Sequence, residues 1–587
     1  MKYQVTGNDF ISLPSIRETD GAAEGLTFLH MGAKGMIEVK GQKQSPLLQP
    51  LVNGQHIVNP KWNRQEDWIP SFACEAEGFH IQGTILTPLH ERAFFYRLQA
   101  TNSAAHENVC RLGMRGNIGE VWHEVNESKQ LEGVLKTKES GWNHRFVAEY
   151  ALGLPLFAFA PMAEADVTHK YQADGNTLNF LLERETTIQP GETLTVDFIF
   201  GLGFDEVASA TSAKELLRRG YEAMALKMKA WLIARKKDVG DEALNHILNT
   251  TMFFSFFYAS GKSMDTEEFC LMTSRSPRDY VSAAYWDRDS LLWSFPAILL
   301  ADAGAAREIL LYVFTRQIRN AGIHSRFIDG TVLEPGFELD ELCAPVIALK
   351  RYVDATGDRL LLQKECVQEG VSLILERLKA HKHPEIDLYD TFLQPTDDPH
   401  VYPYLTYDNV LVWRMLSDIA ALWHREDCSH EAQRVKNAID QHCVGVHEGR
   451  EMFIWSTDLK GGFDIYDEPP GSLTLLPFYG FCGFDEARYR AAVATIRSPR
   501  YAYSFADSPI AEIGCPHAPH PWVLSLCNSL LCGEKETALK HLKQMAMDNG
   551  IACESVDENT GECATGAAFA TCAGFLSYSL YTALKEG

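Results

Sequence analysis

The chain has 587 residues, which is too long for one ordinary hydrophobic core, so two or three domains are expected. Hydrophobic residues make up 46% and charged residues 22%, a composition that excludes extended disorder. The formal net charge of −24 disfavours nucleic-acid and anionic-membrane partners, because binding to phosphate groups requires a basic surface.

The start of the chain and its cysteines bear on the cellular compartment. The first residues contain one lysine but no apolar stretch behind it, so we predict no secretory signal. No run approaches the ~18 uncharged apolar residues of a membrane span. The 14 cysteines have no framework spacing, and several lie in apolar helical runs, which favours free thiols in a reducing compartment. We therefore expect a cytoplasmic protein and leave homo-oligomerisation open.

Residues 1–208 are predicted to form an antiparallel β-sandwich. Short runs with strand-like alternation, such as FHIQGTIL (79–86) and TLTVDFIFGLG (193–203), are separated by Gly, Pro, Asn and Asp turn signals. The segment that follows, 209–238, is amphipathic and rich in helix formers. We predict that it is a linker helix between two domains.

Residues 239–587 have the period of α-helices. Roughly a dozen helical patterns follow one another, and one of them begins near residue 472. Many have Asp, Ser, Thr or Pro near the first turn. That number suits six helical hairpins closed into an (α/α)6 barrel; a plain bundle stays open, and the lack of a fixed repeat disfavours a solenoid. The predicted fold class is α+β multidomain, with an N-terminal antiparallel β-sandwich followed by an (α/α)6 barrel.

Two adjacent carboxylates, Asp397 and Asp398, lie in a loop rich in Pro, His and Tyr that also contains Tyr402. Neighbouring acids repel one another, so one of them can have a raised pKa and donate a proton near neutral pH. A further acid, Glu554, lies far along the sequence. Glycoside hydrolysis needs two carboxylates on opposite sides of the bond that breaks, and they need not be close in sequence. A solvated acidic turn is the structural alternative.

The segment 285–289 combines two aromatic residues, Tyr285 and Trp286, with Asp287, Arg288 and Asp289 at a predicted helix start. A carboxylate and a guanidinium can bind sugar hydroxyls while aromatic rings stack on the apolar face of the sugar. A helix cap with a local ion pair would explain Asp289 alone. Three charges beside two aromatic rings therefore favour a sugar-binding site.

Two later segments carry further candidates. Acids crowd the first turn of the helix predicted from 339, where the helix dipole stabilises some of them, and Asp340 and Glu341 are expected to face a pocket.

His517 and His520 precede another helix together with Trp522. A zinc site is disfavoured because a further Cys or His at standard spacing is missing. Neutral histidines that bind sugar hydroxyls, with Trp522 stacking on the ring, fit better; a structural histidine is the alternative.

Motifs for nucleotides, redox cofactors and metals are absent from the sequence. It contains no G-x-x-x-x-G-K-[ST], no G-x-G-x-x-G between strand and helix, no G-x-S-x-G and no H-E-x-x-H. We therefore predict no cofactor and no metal.

Six segments occur in an informative order. They are WDRDS (286–290), FELDELCAPVIALKRYVDATGD (337–358), QPTDDPHVYPY (394–404), DEPPGSLTLLPFYGF (467–481), EIGCPHAPHPWVLSL (512–526) and CESVDENTG (553–561). Together they resemble the metal-independent α-mannosidases of glycoside hydrolase family 125, and the last is similar to the C-terminal catalytic segment of the wider (α/α)6 glycosidases. The resemblance covers roughly residues 280–587.

The resemblance implies an inverting exo-glycosidase that works without a metal. It puts the general acid on Asp397, with Asp398 beside it, and the general base on Glu554. Gln394 stands where the family has an arginine, and Cys553 where it has a histidine. The sugar-binding positions that it implies are Arg288, Asp289, Glu338, Asp340 and His517, with Trp522 following.

The predicted function is an inverting exo-α-glycoside hydrolase with a carbohydrate substrate, most like an α-mannosidase. The order of a β domain before the helical domain resembles bacterial glucoamylases, so an α-glucosidase is the alternative. A non-catalytic carbohydrate-binding protein is the alternative of another class. A polysaccharide lyase is disfavoured because the candidate cleft is rich in acids.

Overall fold

The computed structural model describes residues 1–43 and 45–585, and the chain divides into two compact units. The first unit consists of 1–236, 260–268 and 275–283, and the second of 237–259, 269–274 and 284–587. The predicted division into 1–208, 209–238 and 239–587 stays a prediction.

The first unit is built from antiparallel β-strands. In β9 buried and more exposed residues alternate, so one face of the strand packs on the core. The strands form three sheets with the orders β1-β2-β3-β4-β12-β13, β14-β15-β16-β19-β10-β9-β8-β7 and β17-β18-β11-β5-β6. Their bounds are β1 Tyr3–Gly7, β2 Ile11–Arg17, β3 Gly25–His30, β4 Gly35–Lys40, β5 Leu48–Val52, β6 Gln55–His56, β7 Lys61–Gln65, β8 Ile69–Ala76, β9 Phe79–Leu86, β10 Ala93–Asn102, β11 Asn108–Ile118, β12 Glu120–Val125, β13 Glu127–Gln130, β14 Val134–Glu139, β15 Phe146–Leu152, β16 Leu154–Ala163, β17 Thr168–Asp174, β18 Thr177–Ile188, β19 Thr193–Gly203 and, later in the chain, β20 Ser260–Lys262. The antiparallel sheets predicted for the N-terminal part are confirmed, and the sandwich arrangement stays a prediction.

Two helices complete the first unit where the sequence predicts one linker helix. They are α1 (Glu206–Arg219) and α2 (Tyr221–Arg235). Asp205 caps α1 by accepting a hydrogen bond from the Ala208 N–H. The helical stretch is interrupted at Gly220, whose φ of 76° is favourable only for glycine.

The second unit is mainly helical. Its α-helices within the described residues are α3 Glu242–Tyr258, α4 Phe295–Ala301, α5 Ala303–Thr315, α6 Leu339–Thr356, α7 Glu365–Ala380, α8 Thr406–Trp423, α9 Glu426–His442, α10 Ala487–Ile496, α11 Val523–Leu531, α12 Lys535–Leu542 and α13 Ala570–Lys585. A π-helical segment, Arg288–Ser294, leads into α4. The helix predicted near 472 is only a 3-10 turn, Leu473–Leu475.

Short strands lie between these helices, a feature that the sequence did not predict. They are β21 Phe269–Leu271, β22 Ile323–Arg326, β23 Val332–Phe337, β24 Tyr404–Leu405, β25 Val444–His447, β26 Arg450–Phe453, β27 Ser456–Thr457, β28 Phe463–Asp464, β29 Ser555–Val556 and β30 Cys563–Thr565. Among the helices, α6 packs on α8, α8 on α9, α11 on α13, and α13 on α3. The barrel arrangement stays a prediction.

Within residues 1–43 and 45–585, no helix combines the length and the apolar character that are needed to span a membrane.

Candidate active site

The acid pair lies on a tight turn before α8. The Asp397 N–H donates to the Gln394 carbonyl at 2.8 Å, and the Gln394 N–H donates to the Asp398 carbonyl at 3.0 Å. Asp397 has a φ of 65°, a left-handed conformation that aspartate tolerates better than most residues. Thr396 anchors the turn, because its N–H and its hydroxyl each donate to the buried Glu468 at 2.8 Å. The turn therefore fixes the positions of both acids.

The two acids face different partners. Asp397 Oδ1 accepts a hydrogen bond from Arg288 Nη2 at 2.8 Å, whereas Asp398 Oδ2 lies 3.1 Å from His517 Nδ1. The other ring nitrogen of His517, Nε2, lies 3.8 Å from Glu554 Oε1. One imidazole ring thus spans the gap between two carboxylates from distant parts of the sequence.

Glu554 is held firmly beside this ring. Its side chain is almost fully buried, and the Thr565 hydroxyl donates to Oε2 at 2.6 Å, which leaves Oε1 on the side of His517. Its N–H donates to the carbonyl of Gly566 at 3.0 Å. Gly566 has a φ of 57°, and a Cβ atom there would lie 2.5 Å from Glu554 Cβ. Glycine is therefore required at 566 to let the chain pack against the acid.

Arg288 lies buried in a cluster of carboxylates. Its Nη1 donates to Glu338 at 3.3 Å and to Asp340 at 3.2 Å, while Nη2 binds Asp397. Arg288 opens the π-helical segment, whereas Glu338 is the last residue before α6 and Asp340 lies in its first turn, so two helix starts meet here. A single guanidinium thus offsets the charge of several buried acids.

We expect Arg288→Met to lower the free energy of unfolding by about 3–5 kcal/mol, because removing one partner leaves buried charges without compensation. Urea denaturation at neutral pH measures the loss. Arg500→Met is the matched control: the Arg500 side chain is 80% exposed and pairs with Glu448, so its loss should change stability by no more than about 0.5 kcal/mol. Equal effects of the two substitutions would contradict this account.

Burial raises the pKa of several acids in this region. It brings the pKa of Asp289 to about 7 and that of Glu338 to about 7. For Glu468 burial outweighs the hydrogen bonds from Thr396 and Tyr466 and raises the pKa to about 8. These carboxyl groups therefore gain and lose protons near neutral pH, so each can donate to or accept from a hydroxyl group.

Several residues of the cluster were missed by sequence reasoning. His324 Nδ1 lies 2.6 Å from Glu338 Oε1 and 3.5 Å from Asp397 Oδ1. Arg326, fully buried, forms an ion pair with Asp287. His324 and Arg326 both lie in the short strand β22, where no motif marks them. Only the tertiary fold brings this strand to the start of α6.

Asp408, in the first turn of α8, was also missed. It is fully buried, and neither of its oxygens has a hydrogen-bond partner among the described residues. Burial, reinforced by the charges of Asp340 and Glu338, raises the pKa of Asp408 well above its usual range. The group is therefore neutral in the folded protein under conditions where it ionises in the unfolded chain.

This difference predicts a pH-dependent effect of Asp408→Asn. The native state binds the proton more tightly, so the wild type loses about 1.4 kcal/mol of stability for each pH unit between the unfolded pKa of about 3.9 and the higher folded pKa. The variant lacks this loss and should gain relative stability as the pH rises above about 4. Urea denaturation at several values between pH 4.5 and 8 measures the gain. Asp427→Asn is the control: Arg425 lowers the pKa of Asp427 to about 2, so its effect should be constant over this range. A constant difference for Asp408→Asn would show that Asp408 is charged in the native state.

The predicted aromatic residues are largely occupied by contacts within the protein. Tyr285 is fully buried, and its hydroxyl donates to Asp287 Oδ1 at 2.5 Å. Trp522 is 3% exposed, and its Nε1 donates to the Ala518 carbonyl at 2.9 Å. Trp286 is also 3% exposed, but its buried Nε1 has no hydrogen-bond partner in the described part of the chain. Tyr285 thus orients Asp287, and Trp286 retains a free donor.

The other predicted residues lie in three places. Gln394 lines a cavity of about 330 Å³ together with Asp398 and His517. The Nδ1 of His520 lies 3.3 Å from Glu558 Oε2. Tyr402 is partly exposed, and its hydroxyl lies next to Gly462. The structure therefore brings Gln394 to the acid pair and directs His520 to a separate acid.

Two groups of side chains have ligand atoms close enough together, within 4.8 Å, to hold a metal ion. The Arg288 guanidinium lies 3.2–3.8 Å from the acids of the second group and 2.8 Å from Asp397 of the first, so a positive charge is already present at both. The guanidinium thus occupies the position among these oxygens that a metal ion would need, and the prediction of a metal-independent site stays open to test. The groups are His324, Glu338 and Asp397, and Glu338, Asp340 and Glu341.

The sequence profile of a known family matches residues 383–579, and that family is described as metal-independent alpha-mannosidase (GH125). The matched range contains the acid-pair turn, His517 and Glu554, but not 285–289. The chain resembles glycoside hydrolase family 125. The resemblance predicted from the six segments is thereby confirmed, and it supports a glycoside hydrolase.

Two solved structures extend the comparison with family 125. One is a metal-independent α-mannosidase of Streptococcus pneumoniae in a non-productive complex with α-1,6-mannobiose; it is 17% identical, with a TM-score of 0.53, and covers 61% of this chain and 97% of its own. The other is a bacterial glucoamylase complexed with acarbose; it is 13% identical, with a TM-score of 0.65, and covers 100% of this chain and 95% of its own. At this identity the likeness concerns the fold. No curated protein sequence matches the chain.

Proposed function

We propose that the protein is an inverting exo-α-glycoside hydrolase that releases a terminal mannose from an oligosaccharide or small glycoside. The observation that carries the proposal is the single imidazole of His517 between Asp398 and Glu554, with Asp397 on the same turn as Asp398. The family 125 match over this part of the chain supports the same chemistry.

The turn that carries Asp397 and Asp398 lies across one imidazole ring from Glu554, and inversion requires an acid and a base on opposite sides of the sugar. Because one imidazole ring separates them, the carboxylates of Asp398 and Glu554 are no farther apart than the upper end of the range of about 6.5–9.5 Å found in inverting enzymes. In our scheme Asp397 protonates the glycosidic oxygen, and Glu554 takes a proton from the attacking water on the other side of the ring. Direct displacement by water then inverts the anomeric carbon.

The acidic cluster around Arg288 is proposed to bind the terminal sugar. Arg288 offers charge-assisted hydrogen bonds, and the pKa of Asp289, about 7, lets that carboxyl group accept or donate at neutral pH. The cavity beside Gln394 and His517, about 330 Å³, has the size of a small-molecule site and suits a short saccharide.

The proposal includes the architecture. We infer that the helices of the second unit form an (α/α)6 barrel and that the sheets of the first form a β-sandwich, in line with the full-length similarity to the bacterial glucoamylase. The packing of α6 on α8 and of α11 on α13, with α13 on α3, supports a closed ring of helices.

Hydrolysis of an aryl α-mannoside, followed by NMR of the first-formed anomer, tests the proposed function. We expect β-mannose, because a single displacement inverts the α-linkage. Release of α-mannose would overturn the inverting scheme. Turnover that falls after dialysis against a chelator and returns with a divalent cation would overturn metal independence.

An α-glucosidase is the second candidate, favoured by the similarity to the glucoamylase complexed with acarbose. The same assay with an aryl α-glucoside separates the two, since β-glucose in place of β-mannose would select the glucosidase. A non-catalytic carbohydrate-binding protein is the candidate of another class. Saccharide binding without turnover on either substrate or on natural disaccharides would select it.

A further inference from the structure

The second unit contains another cavity, of about 570 Å³, formed by side chains of α4, α6, α8 and α13 and of the 478–479 segment. It is separate from the acidic cluster. Glu341, in the first turn of α6, and Arg351, which lines this cavity, are ten residues apart on that helix, a distance of about 15 Å along its axis. A cavity of this volume can enclose one small molecule.

The charges that line the cavity do not cancel. Lys350 binds Asp354 at 2.5 Å, and Arg414 binds Asp418 at 2.8 Å, so each of these four is paired. Arg351 has no carboxylate partner among the described residues, and its buried Nη1 makes no hydrogen bond. The cavity therefore carries one net positive charge on a guanidinium with an unused donor.

Aromatic rings flank the same guanidinium. Its central carbon lies 5.0 Å from the ring centre of Tyr578 and 5.9 Å from that of Phe478. Tyr479 and Tyr581 also line the cavity. Aromatic faces pack well against the C–H face of a sugar ring, while a guanidinium binds an oxyanion through two parallel hydrogen bonds.

We propose that this cavity binds a monosaccharide that carries an oxyanion, a sugar phosphate or a sugar carboxylate. Arg351 binds the oxyanion, and the rings of Tyr578 and Phe478 pack against the sugar. The buried Nη1 donor requires a hydrogen-bond acceptor, and the unpaired positive charge of Arg351 favours an anionic acceptor over a neutral one. This site is independent of the proposed glycosidase activity.

Isothermal titration of the full-length protein tests the proposal with four probes: glucose 6-phosphate, glucuronate, glucose and inorganic phosphate. We expect one site per chain, with at least one of the two anionic sugars binding about tenfold or more tightly than glucose or phosphate. The preferred anionic sugar identifies the oxyanion as phosphate or carboxylate. Glucose or inorganic phosphate binding as tightly as the preferred anionic sugar, or no binding of either anionic sugar, would overturn the proposal.

Arg351→Met should weaken binding of the anionic sugar by at least about tenfold, and Arg500→Met should leave it unchanged. Hydrogen exchange of the wild type needs no variant and covers the case in which Arg351→Met does not fold. Added ligand should protect the amides of α6 near 350–355 and of α13 near 578–582. Protection confined to the 394–398 turn would place the ligand at the other site and overturn the assignment.

Discussion

Glu554→Gln is expected to reduce kcat by about 10³–10⁴-fold on every glycoside that the wild type hydrolyses, with little change in KM. Glutamine keeps the shape of the side chain and its hydrogen bond to Thr565, but it cannot accept a proton from water. The loss should not depend on the leaving group, because the base acts on the water alone. Initial rates with an aryl glycoside and a disaccharide measure both features.

Glu558→Gln is the matched control for Glu554→Gln. Glu558 lies in the same segment, is partly exposed and faces His520, so its replacement should leave turnover near that of the wild type. Added azide should restore product formation in Glu554→Ala, as a glycosyl azide of inverted configuration, since azide attacks without a general base. If Glu554→Gln kept a tenth or more of wild-type kcat, Glu554 would not be the base.

Asp397→Asn is expected to slow hydrolysis of a disaccharide by about 10³-fold but that of a glycosyl fluoride by less than about tenfold. The difference arises because fluoride leaves without being protonated, whereas the sugar alkoxide released from a disaccharide is a poor leaving group and needs a proton from the acid. The ratio of kcat/KM for the two substrates in wild type and variant measures it. A residue that only binds the sugar would lower both rates alike when it is replaced.

Asp398→Asn completes the comparison, because the two acids share one turn and differ in their partners. Asp397 binds Arg288, and Asp398 binds His517. We expect Asp398→Asn to lower kcat/KM for the disaccharide and for the glycosyl fluoride by the same factor. If Asp398→Asn, and not Asp397→Asn, slowed the disaccharide much more than the glycosyl fluoride, Asp398 would be the general acid. If neither variant showed this difference, the two-carboxylate scheme would be wrong.

Much of the local structure could be predicted because it depends on short-range patterns. Alternation between turn signals marked β9 and β19, and the acids and apolar period around 339 marked α6. The helix predicted near 472 was wrong, since the prolines and glycine of 469–471 favour tight turns over a regular helix. The break at Gly220 was also missed, because helix-forming residues on both sides dominate the pattern.

The residues of the candidate site, too, could be predicted only in part. Asp397 and Arg288 could be proposed because charged groups stand there beside Pro, Tyr and Trp, and Glu554 because its segment resembles the C-terminal catalytic segment of the (α/α)6 glycosidases. His324 and Asp408 could not, because their importance comes from neighbours that are distant in the sequence. Asp408 illustrates this: an acid in the first turn of a helix is ordinarily stabilised by the helix dipole, and only the fold shows that it is buried without partners.

The π-helical segment Arg288–Ser294 makes the site sensitive to chain length as well as to residue type. A π turn contains one residue more than an α turn, and one residue corresponds to a rotation of about 100° around the helix axis. Deleting one residue between Ser290 and Ser294 would restore regular winding and turn Arg288 away from Glu338 and Asp340, even with every side chain of the site still present. Relatives that share this ion cluster should therefore align here without gaps, and length changes should accumulate in the exposed turns instead.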